Sequence, residues 1–314
     1  MRVLVTGASG FVGRALVEQL RLDSSLQLRL AHRRVDEKSH AEFVRVGDVN
    51  GATDWQAALL GVDAVIHLAA RAHILDGRDA DPLAEFRKTN TQGTLNLAHQ
   101  AALAGVRRFV FISSIGVNGA QTKGQAFTEL SPAAPHSPYA QSKYEAERGL
   151  LEMAGAGGME IVIIRPPMVF AAHAPGNFAR LMKLISLPLP LPFGGMRNQR
   201  SLVSLQNLIG FIEVCLKSPR AANEVFLICD GDDVSTEEMV RDLAQGLGCR
   251  RWLMPFPEAI IRWLAMATGR QNIYIQLFGS LQVDSSKARE MLQWKPCVGT
   301  RQALKQAGEK YKAG

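Results

Sequence analysis

The 314-residue chain lacks any run of about eighteen uninterrupted apolar residues, which excludes a helix crossing a bilayer. Its most apolar piece, residues 184–193, is short and broken by Pro188, Pro190 and Pro192. Cysteine is scarce. The four, Cys215, Cys229, Cys249 and Cys297, form no C-x-x-C pair and have no histidine at ligand spacing. That excludes a disulfide framework and a zinc site, predicts reduced thiols in a cytoplasmic protein, and leaves no metal to expect. The chain opens directly on Arg2-Val3-Leu4-Val5, without the architecture of a signal peptide. Internal repeats and low-complexity segments are lacking too. Acidic residues fall short of basic ones, 29 against 36, for a net charge of +7. The cations are dispersed and not interleaved with aromatics, which argues against a nucleic-acid partner and suits an anionic small molecule. With 47% hydrophobic and 21% charged residues, the composition is that of an ordinary globular protein, long enough for two domains or one large one.

Strands and helices alternate through the amino-terminal half. A β-branched-rich run over 2–6 leads into Gly7-Ala8-Ser9-Gly10-Phe11-Val12-Gly13 and then a helical pattern over 14–20. Strand, glycine-rich turn and helix together are what a dinucleotide pyrophosphate needs, although the spacing is G-x-x-G-x-x-G and not G-x-G-x-x-G. A second strand over 26–30 is followed by Arg33 and Arg34, with no acid at its end and Asp36 beyond the turn. An acid there would bond the ribose of NAD, whereas an arginine accommodates the 2′-phosphate of NADP, so NADP(H) is expected, with NAD(H) possible. A third strand over 43–46 ends near Asp48 and Val49, placed for the adenine edge, and a helix is expected around 55–60. The strand over 64–70 carries His67, which reads as a packed core histidine, and ends in Leu68-Ala69-Ala70, small enough for a flat cofactor to approach. A helix over 82–104 holds Asn90, and a strand over 109–112 ends at Ser113-Ser114. Alternation of this kind predicts a parallel sheet with ligands at the carboxyl ends of its strands.

Pro138 is suited to the first turn of a helix, on which Tyr139 and Lys143 lie one turn apart on one face. A free phenol titrates near ~10. A cation held beside it lowers that value and makes it a general acid/base.

Taken in order, Gly7-x-x-Gly10-x-x-Gly13, His67-Leu68-Ala69-Ala70, Asn90-x-x-Gly93-Thr94, Ser113-Ser114-x-x-Val117-x-Gly119, Tyr139-x-x-x-Lys143 and Arg165-Pro166-Pro167-Met168-Val169 make a specific pattern. The chain resembles the extended short-chain dehydrogenase/reductase family in its nucleotide-sugar branch. The resemblance implies a Rossmann-type, doubly wound parallel α/β sheet with a smaller mixed substrate domain. Residues 1–165 and 202–229 would bind NAD(P), and 166–201 and 230–314 the nucleotide-diphosphate sugar, expected to be UDP-linked. It implies that Ser114, Tyr139, Lys143 and Asn90 form a catalytic tetrad acting at sugar C4. Cofactor contacts would come from the glycine turn with Phe11 and Val12, from Arg33, Asp48, Val49, Leu68, Ala69 and Ala70, from Tyr139 and Lys143, and from Pro166 and Met168. Asn177 and Arg200 would hold the nucleotide, Arg200 through its diphosphate, and a homodimer would form through the helices bearing Asn90 and Tyr139.

Departures from the pattern narrow the chemistry. Family dehydratases follow the catalytic hydroxyl with an Asp-Glu pair; Ile115 and Gly116 stand there, so a 4,6-dehydratase is rejected. Asn118 replaces the family's usual Tyr, and Gln206 its usual Asp. The first expectation is an NADP-dependent reductase of a UDP-4-keto-6-deoxy-N-acetylhexosamine; a UDP-hexose or UDP-N-acetylhexosamine 4-epimerase with resident NAD resembles the chain equally. A reductase of steroid-like substrates and a non-catalytic cofactor sensor are the other readings. Towards the carboxyl end a helix over 207–217, a strand over 224–229, a capping box at Ser235 and Glu238, and a helix over 258–268 are expected.

Overall fold

The computed structural model describes residues 1–34, 42–72, 81–155, 157–255, 266–267, 274–275 and 278–313. Asp36 and all but two residues of the helix expected over 258–268 lie outside them. The strands are β1 Arg2–Thr6, β2 Gln27–His32, β3 Glu42–Arg45, β4 Ala64–His67, β5 Arg108–Ile112, β6 Glu160–Arg165, β7 Met168–Phe170, β8 Leu191–Gly194, β9 Leu202–Ser204, β10 Glu224–Leu227 and β11 Leu253–Pro255. Seven of them form one sheet in the order β10-β6-β5-β4-β1-β2-β3, every pairing parallel. The sequence is therefore that of an α/β fold with a Rossmann-like parallel sheet.

Continuous apolar strands are what a sheet covered on both faces requires. Because side chains alternate across a strand, Val3 and Val5 enter one core while Leu4 enters the other. The first core packs Ile66, Val110, Val162 and Ile164 beneath helix α1 (Phe11–Leu20) and a later helix contributing Leu208, Phe211 and Ile212. The second packs Val65, Phe109, Phe111, Ile161 and Ile163 against Trp55, Leu97, Ala101 and Leu150. The short helix α2 is Gln56–Leu59, with Trp55 as its cap.

The helix expected over 82–104 is not regular. It runs as α3 (Pro82–Phe86), a π-helical stretch Arg87–Gly93 and α4 (Thr94–Leu103). Helix α5 is Pro138–Gly155, opened by its proline. After β7 the chain builds a third core from α6 (Asn177–Ser186), β8, α8 (Thr236–Gly246) and α10 (Thr300–Ala313), with Phe178, Met182, Met239, Leu243 and Leu304 inside it. Helices α7 (Leu205–Lys217) and α9 (Ser286–Leu292) flank the large sheet. The expected capping box of α8 is formed, Ser235 Oγ accepting from Glu238 N at 3.1 Å. The described cysteines are free thiols, and no described helix is long and apolar enough to cross a membrane.

Strand order reverses between β1 and β4, which lie side by side although their chain neighbours run off in opposite directions. The crevice at the carboxyl ends of that pair is where such sheets bind ligands. The remainder of the architecture delivers side chains to that edge.

Candidate active site

Gly7 leaves β1 with φ +69°, a left-handed conformation that favours glycine. A Cβ there would lie 2.7 Å from the Ala69 backbone nitrogen and 2.8 Å from the Leu68 carbonyl carbon. One at Gly13 would lie 2.1 Å from the Gly7 oxygen, so this glycine lets α1 sit down on the turn. Gly10 caps α1 without a side-chain bond, and Phe11 and Val12 follow in its first turn. Helix start and left-handed turn together make a backbone cradle for an anion.

Across the crevice, Thr6 Oγ1 meets His67 Nδ1 at 2.7 Å and the Ala69 N–H donates to Thr6 Oγ1 at 3.2 Å. His67 is fully buried and also meets Thr94 Oγ1 at 2.9 Å. Burial, with a smaller contribution from the Lys143 charge, pushes its pKa down to about 3. It is a neutral tie between β1, β4 and α4 that fixes the Leu68–Ala70 segment. Ser113 Oγ is buried there with no partner among the described residues. Arg33 and Asp48, at the ends of β2 and β3, stand 4.0 Å apart with both side chains mostly in solvent. Val49 sits under Gly93, whose missing Cβ would be 2.8 Å from Val49 Cγ1. Pro166 accepts from the Ile115 N–H at 3.0 Å, and Met168 opens β7. These residues fit an extended dinucleotide lying over the strand ends.

Asn90 is fully buried in the π-helical stretch. Its Oδ1 accepts from the Arg71 N–H at 2.8 Å, and its Nδ2 donates to the Arg71 carbonyl and to Ser142 Oγ, both at 3.0 Å. One side chain thereby clamps the loop after β4 to α5. Lys143, 2% exposed, donates from Nζ to the Ile112 carbonyl at 2.8 Å, and the same atom lies 4.4 Å from the centre of the Phe111 ring. Burial lowers its pKa to about 7, opposed by the Glu147 charge.

The Tyr139 ring meets Phe86 edge-on at 6.0 Å. The expected lowering of its phenol by Lys143 is reversed in this structure: burial pushes it up to about 12. The physical reason is the loss of water around the phenol, while the Lys143 ammonium is directed at the Ile112 carbonyl.

Ser114, Gly116, Tyr139 and Asn177 line one cleft of about 450 Å³, with His136 and Arg180 on the same walls. The last two were not anticipated; Arg180 lies one helical turn beyond Asn177 and could have been found by that spacing. Ser114 Oγ accepts from the Gly116 N–H at 3.1 Å, which fixes its rotamer. Arg200 does not line this cleft. Its backbone bridges Val234 and Leu281, its Nη1 donates to the Gly279 carbonyl at 2.8 Å, and burial lowers its pKa to about 10.

The departures also have physical meaning. Ile115 packs with Leu227, Cys229 and Val283, and Gly116 offers the cleft no side chain. Neither position supplies an acid or a base. Asn118 is buried and accepts from Arg165 Nη1 at 3.1 Å, while Gln206 is exposed on α7.

The sequence profile of the "NAD dependent epimerase/dehydratase family" matches residues 3–229. A UDP-glucose 4-epimerase of Vibrio cholerae is 44% identical over 311 residues, covering 98% of this chain and 95% of that one. An N-acetyl-alpha-D-glucosaminyl-diphospho-ditrans,octacis-undecaprenol 4-epimerase of Escherichia coli O157:H7 is 31% identical over 250 residues, covering 78% of this chain and 72% of that one. The crystal structure of a UDP-glucuronic acid 4-epimerase from Bacillus cereus in complex with NAD superposes with a TM-score of 0.79 at 22% identity, over 100% of this chain and 99% of the other. That last likeness is one of fold.

Proposed function

The chain belongs to the NAD dependent epimerase/dehydratase family, and from that membership we propose that it is a nucleotide-sugar 4-epimerase with a resident NAD, acting on a UDP-linked hexose or N-acetylhexosamine. The observation that carries the reading is the 44% identity to a UDP-glucose 4-epimerase over nearly the whole chain. The geometry agrees with it, since Ser114 and Tyr139 share a cleft beside the crevice that suits a dinucleotide.

A bound nicotinamide would supply the hydride acceptor and donor for sugar C4, which no side chain can. The turn from Gly7 to Gly13 and the start of α1 would hold the pyrophosphate, and Leu68–Ala70 and Pro166 would take the flat rings. Lys143 would hold the nicotinamide ribose. Ser114 hydrogen-bonds the C4 oxygen, and Tyr139 takes its proton and gives one back. A phenol raised to about 12 keeps its proton at neutral pH, so donation is the direction it favours unaided. Abstraction needs positive charge one helical turn away, and Lys143 is the residue that can carry it. Asn90 is a positioning residue, since its hydrogen bonds are spent on the loop after β4 and on α5. Arg200, desolvated and bound to one carbonyl, suits a diphosphate, and the residues 166–201 and 230–314 would hold the sugar nucleotide. Without an acid or base at 115 and 116, elimination of water from the sugar has no agent.

A 4-keto reductase uses the same residues and differs in releasing an oxidised cofactor. Arg33 and Arg34 favour that second reading through a 2′-phosphate, although Arg33 stands nearest an exposed carboxylate, Asp48.

Denaturing the purified protein and identifying the nucleotide released tests the choice. Stoichiometric NAD, with interconversion of UDP-glucose or UDP-N-acetylglucosamine and its 4-epimer, is the expected result. Exchangeable NADPH consumed by a 4-keto sugar nucleotide would overturn it.

A further inference from the structure

Beyond the tetrad, α5 buries a further ionisable residue that neither the sequence pattern nor the proposed chemistry uses. Glu147 lies one turn after Lys143 and two after Tyr139, on the same face, and its side chain is 1% exposed. It is held from β6: Arg165 Nε donates to its two oxygens at 3.0 and 3.1 Å, and Arg165 Nη2 donates to Oε2 at 2.5 Å. The Arg165 guanidinium, 9% exposed, gives its remaining edge to Asn118 Oδ1 at 3.1 Å. Asn118 is fastened in turn by donating to the Thr128 and Ser131 carbonyls at 3.4 Å. A dry hydrogen-bonded chain therefore runs Glu147, Arg165, Asn118, beginning one helical turn from Lys143.

We propose that Glu147 is a positioning residue that supplies the counter-charge to Lys143 from one helical turn away, with Arg165 and Asn118 fixing its carboxylate in place. An arginine cannot shed its proton, and its fork fixes the Glu147 carboxylate in place. That carboxylate, one turn along the same helix face, is the counter-charge of Lys143. The other groups facing the ammonium cannot replace it. From β4 comes His67, neutral; from β5 the Phe111 ring and the Ile112 carbonyl, both uncharged; from its own helix Tyr139, a neutral phenol. Arg165 is a like charge, and its hydrogen bonds go to Glu147 and Asn118. Without the carboxylate, a lysine buried this deeply shifts toward its neutral amine, and Tyr139 loses the charge that makes proton abstraction feasible. The same reasoning accounts for Asn118, whose amide completes the arginine's hydrogen bonding where a phenol is the family pattern. The proposal rests on the role given above to Lys143.

The test reads Lys143 directly, in the protein as isolated and with no sugar added. Protein labelled with ¹³Cε-lysine is titrated by NMR, and the Lys143 resonance is assigned by its loss in Lys143→Met. In Glu147→Gln the midpoint is expected to fall by about one pH unit or more, because the counter-charge is gone while the side-chain shape is kept. Glu147→Asp, which withdraws the carboxylate by one methylene, covers the case in which the glutamine variant does not fold, and is expected to give a smaller fall. A midpoint within about 0.3 pH unit of the native one in a folded variant would overturn the proposal. Failure of the proposed function would instead show as native protein that neither holds NAD nor interconverts the sugars, and it leaves this titration unchanged.

Discussion

At the scale of single residues, the site is a contest between desolvation and charge. Tyr139 is needed as a proton carrier, yet its surroundings raise its pKa, and Lys143 is needed as a cation, yet its surroundings lower its own. Neither direction could be read from the one-turn spacing of the two. That spacing predicts a charge beside a phenol; what burial does to each follows from the Ile112 carbonyl, the Phe111 ring and the floor of the cleft. Tyr139→Phe removes the transferable proton without changing the ring that packs on Phe86. Turnover is expected to fall at least about a hundredfold. Sugar-nucleotide affinity, measured by calorimetry, is expected to stay near native, and unchanged turnover would remove Tyr139 from the chemistry.

Among elements, the β1–α1 turn and the π-helical stretch make the site possible. The turn was legible because its glycines, its preceding strand and its following helix all appear in the sequence. What the sequence did not reveal is that Gly7 is crowded by the Leu68–Ala69 backbone arriving from β4, some sixty residues on. Gly7→Ala therefore meets two penalties: a left-handed backbone costing about 1–2 kcal/mol for an L-residue, and a clash with a chain segment that cannot swing aside. Unfolding in urea should show a loss of about 3 kcal/mol in total, with dinucleotide binding weakened as well. Native stability and binding in that variant would mean that the turn is freer than its geometry implies. The π-helical stretch is the opposite case, since the pattern over 82–104 reads as an ordinary helix. The widened turn is seen only once Asn90 is found reaching both Arg71 and Ser142.

For the molecule as a whole, the carboxyl-terminal segment is fastened to the large sheet by a second buried polar cluster. Asn207, on α7, donates to Asp230 Oδ1 and to the Val298 carbonyl, both at 2.7 Å, and accepts from the Cys297 N–H at 2.8 Å. Asp230 also accepts from the Ser204 N–H at 2.8 Å, and burial raises its carboxyl to about 6 from an ordinary 3.8. A carboxyl whose folded pKa lies above its unfolded one binds protons more tightly when folded, so its contribution to stability is lost as pH rises from near 4 through 6. Asn207→Ala strips a donor from that carboxylate and leaves the partner groups at Cys297 and Val298 unpaired. It should cost about 2–4 kcal/mol, more at pH 8 than at pH 5. Thermal unfolding at the two pH values checks this, and a larger loss at pH 5 would contradict the assignment.

The sequence by itself determined the parallel α/β fold, the order of its motifs and the family to which the chain belongs. Those depend on local periodicity, on turn residues and on side-chain types that must occur in a fixed order along the chain. Tertiary structure alone decided which charges are dry. The sequence marks Lys143 by its spacing from Tyr139 but carries no sign that Lys143, Glu147 and Arg165 are dry; only the packing of α5 onto β5 and β6 takes them out of water. Burial is a property of what surrounds a residue in space, and the strands that surround these three come from distant parts of the chain.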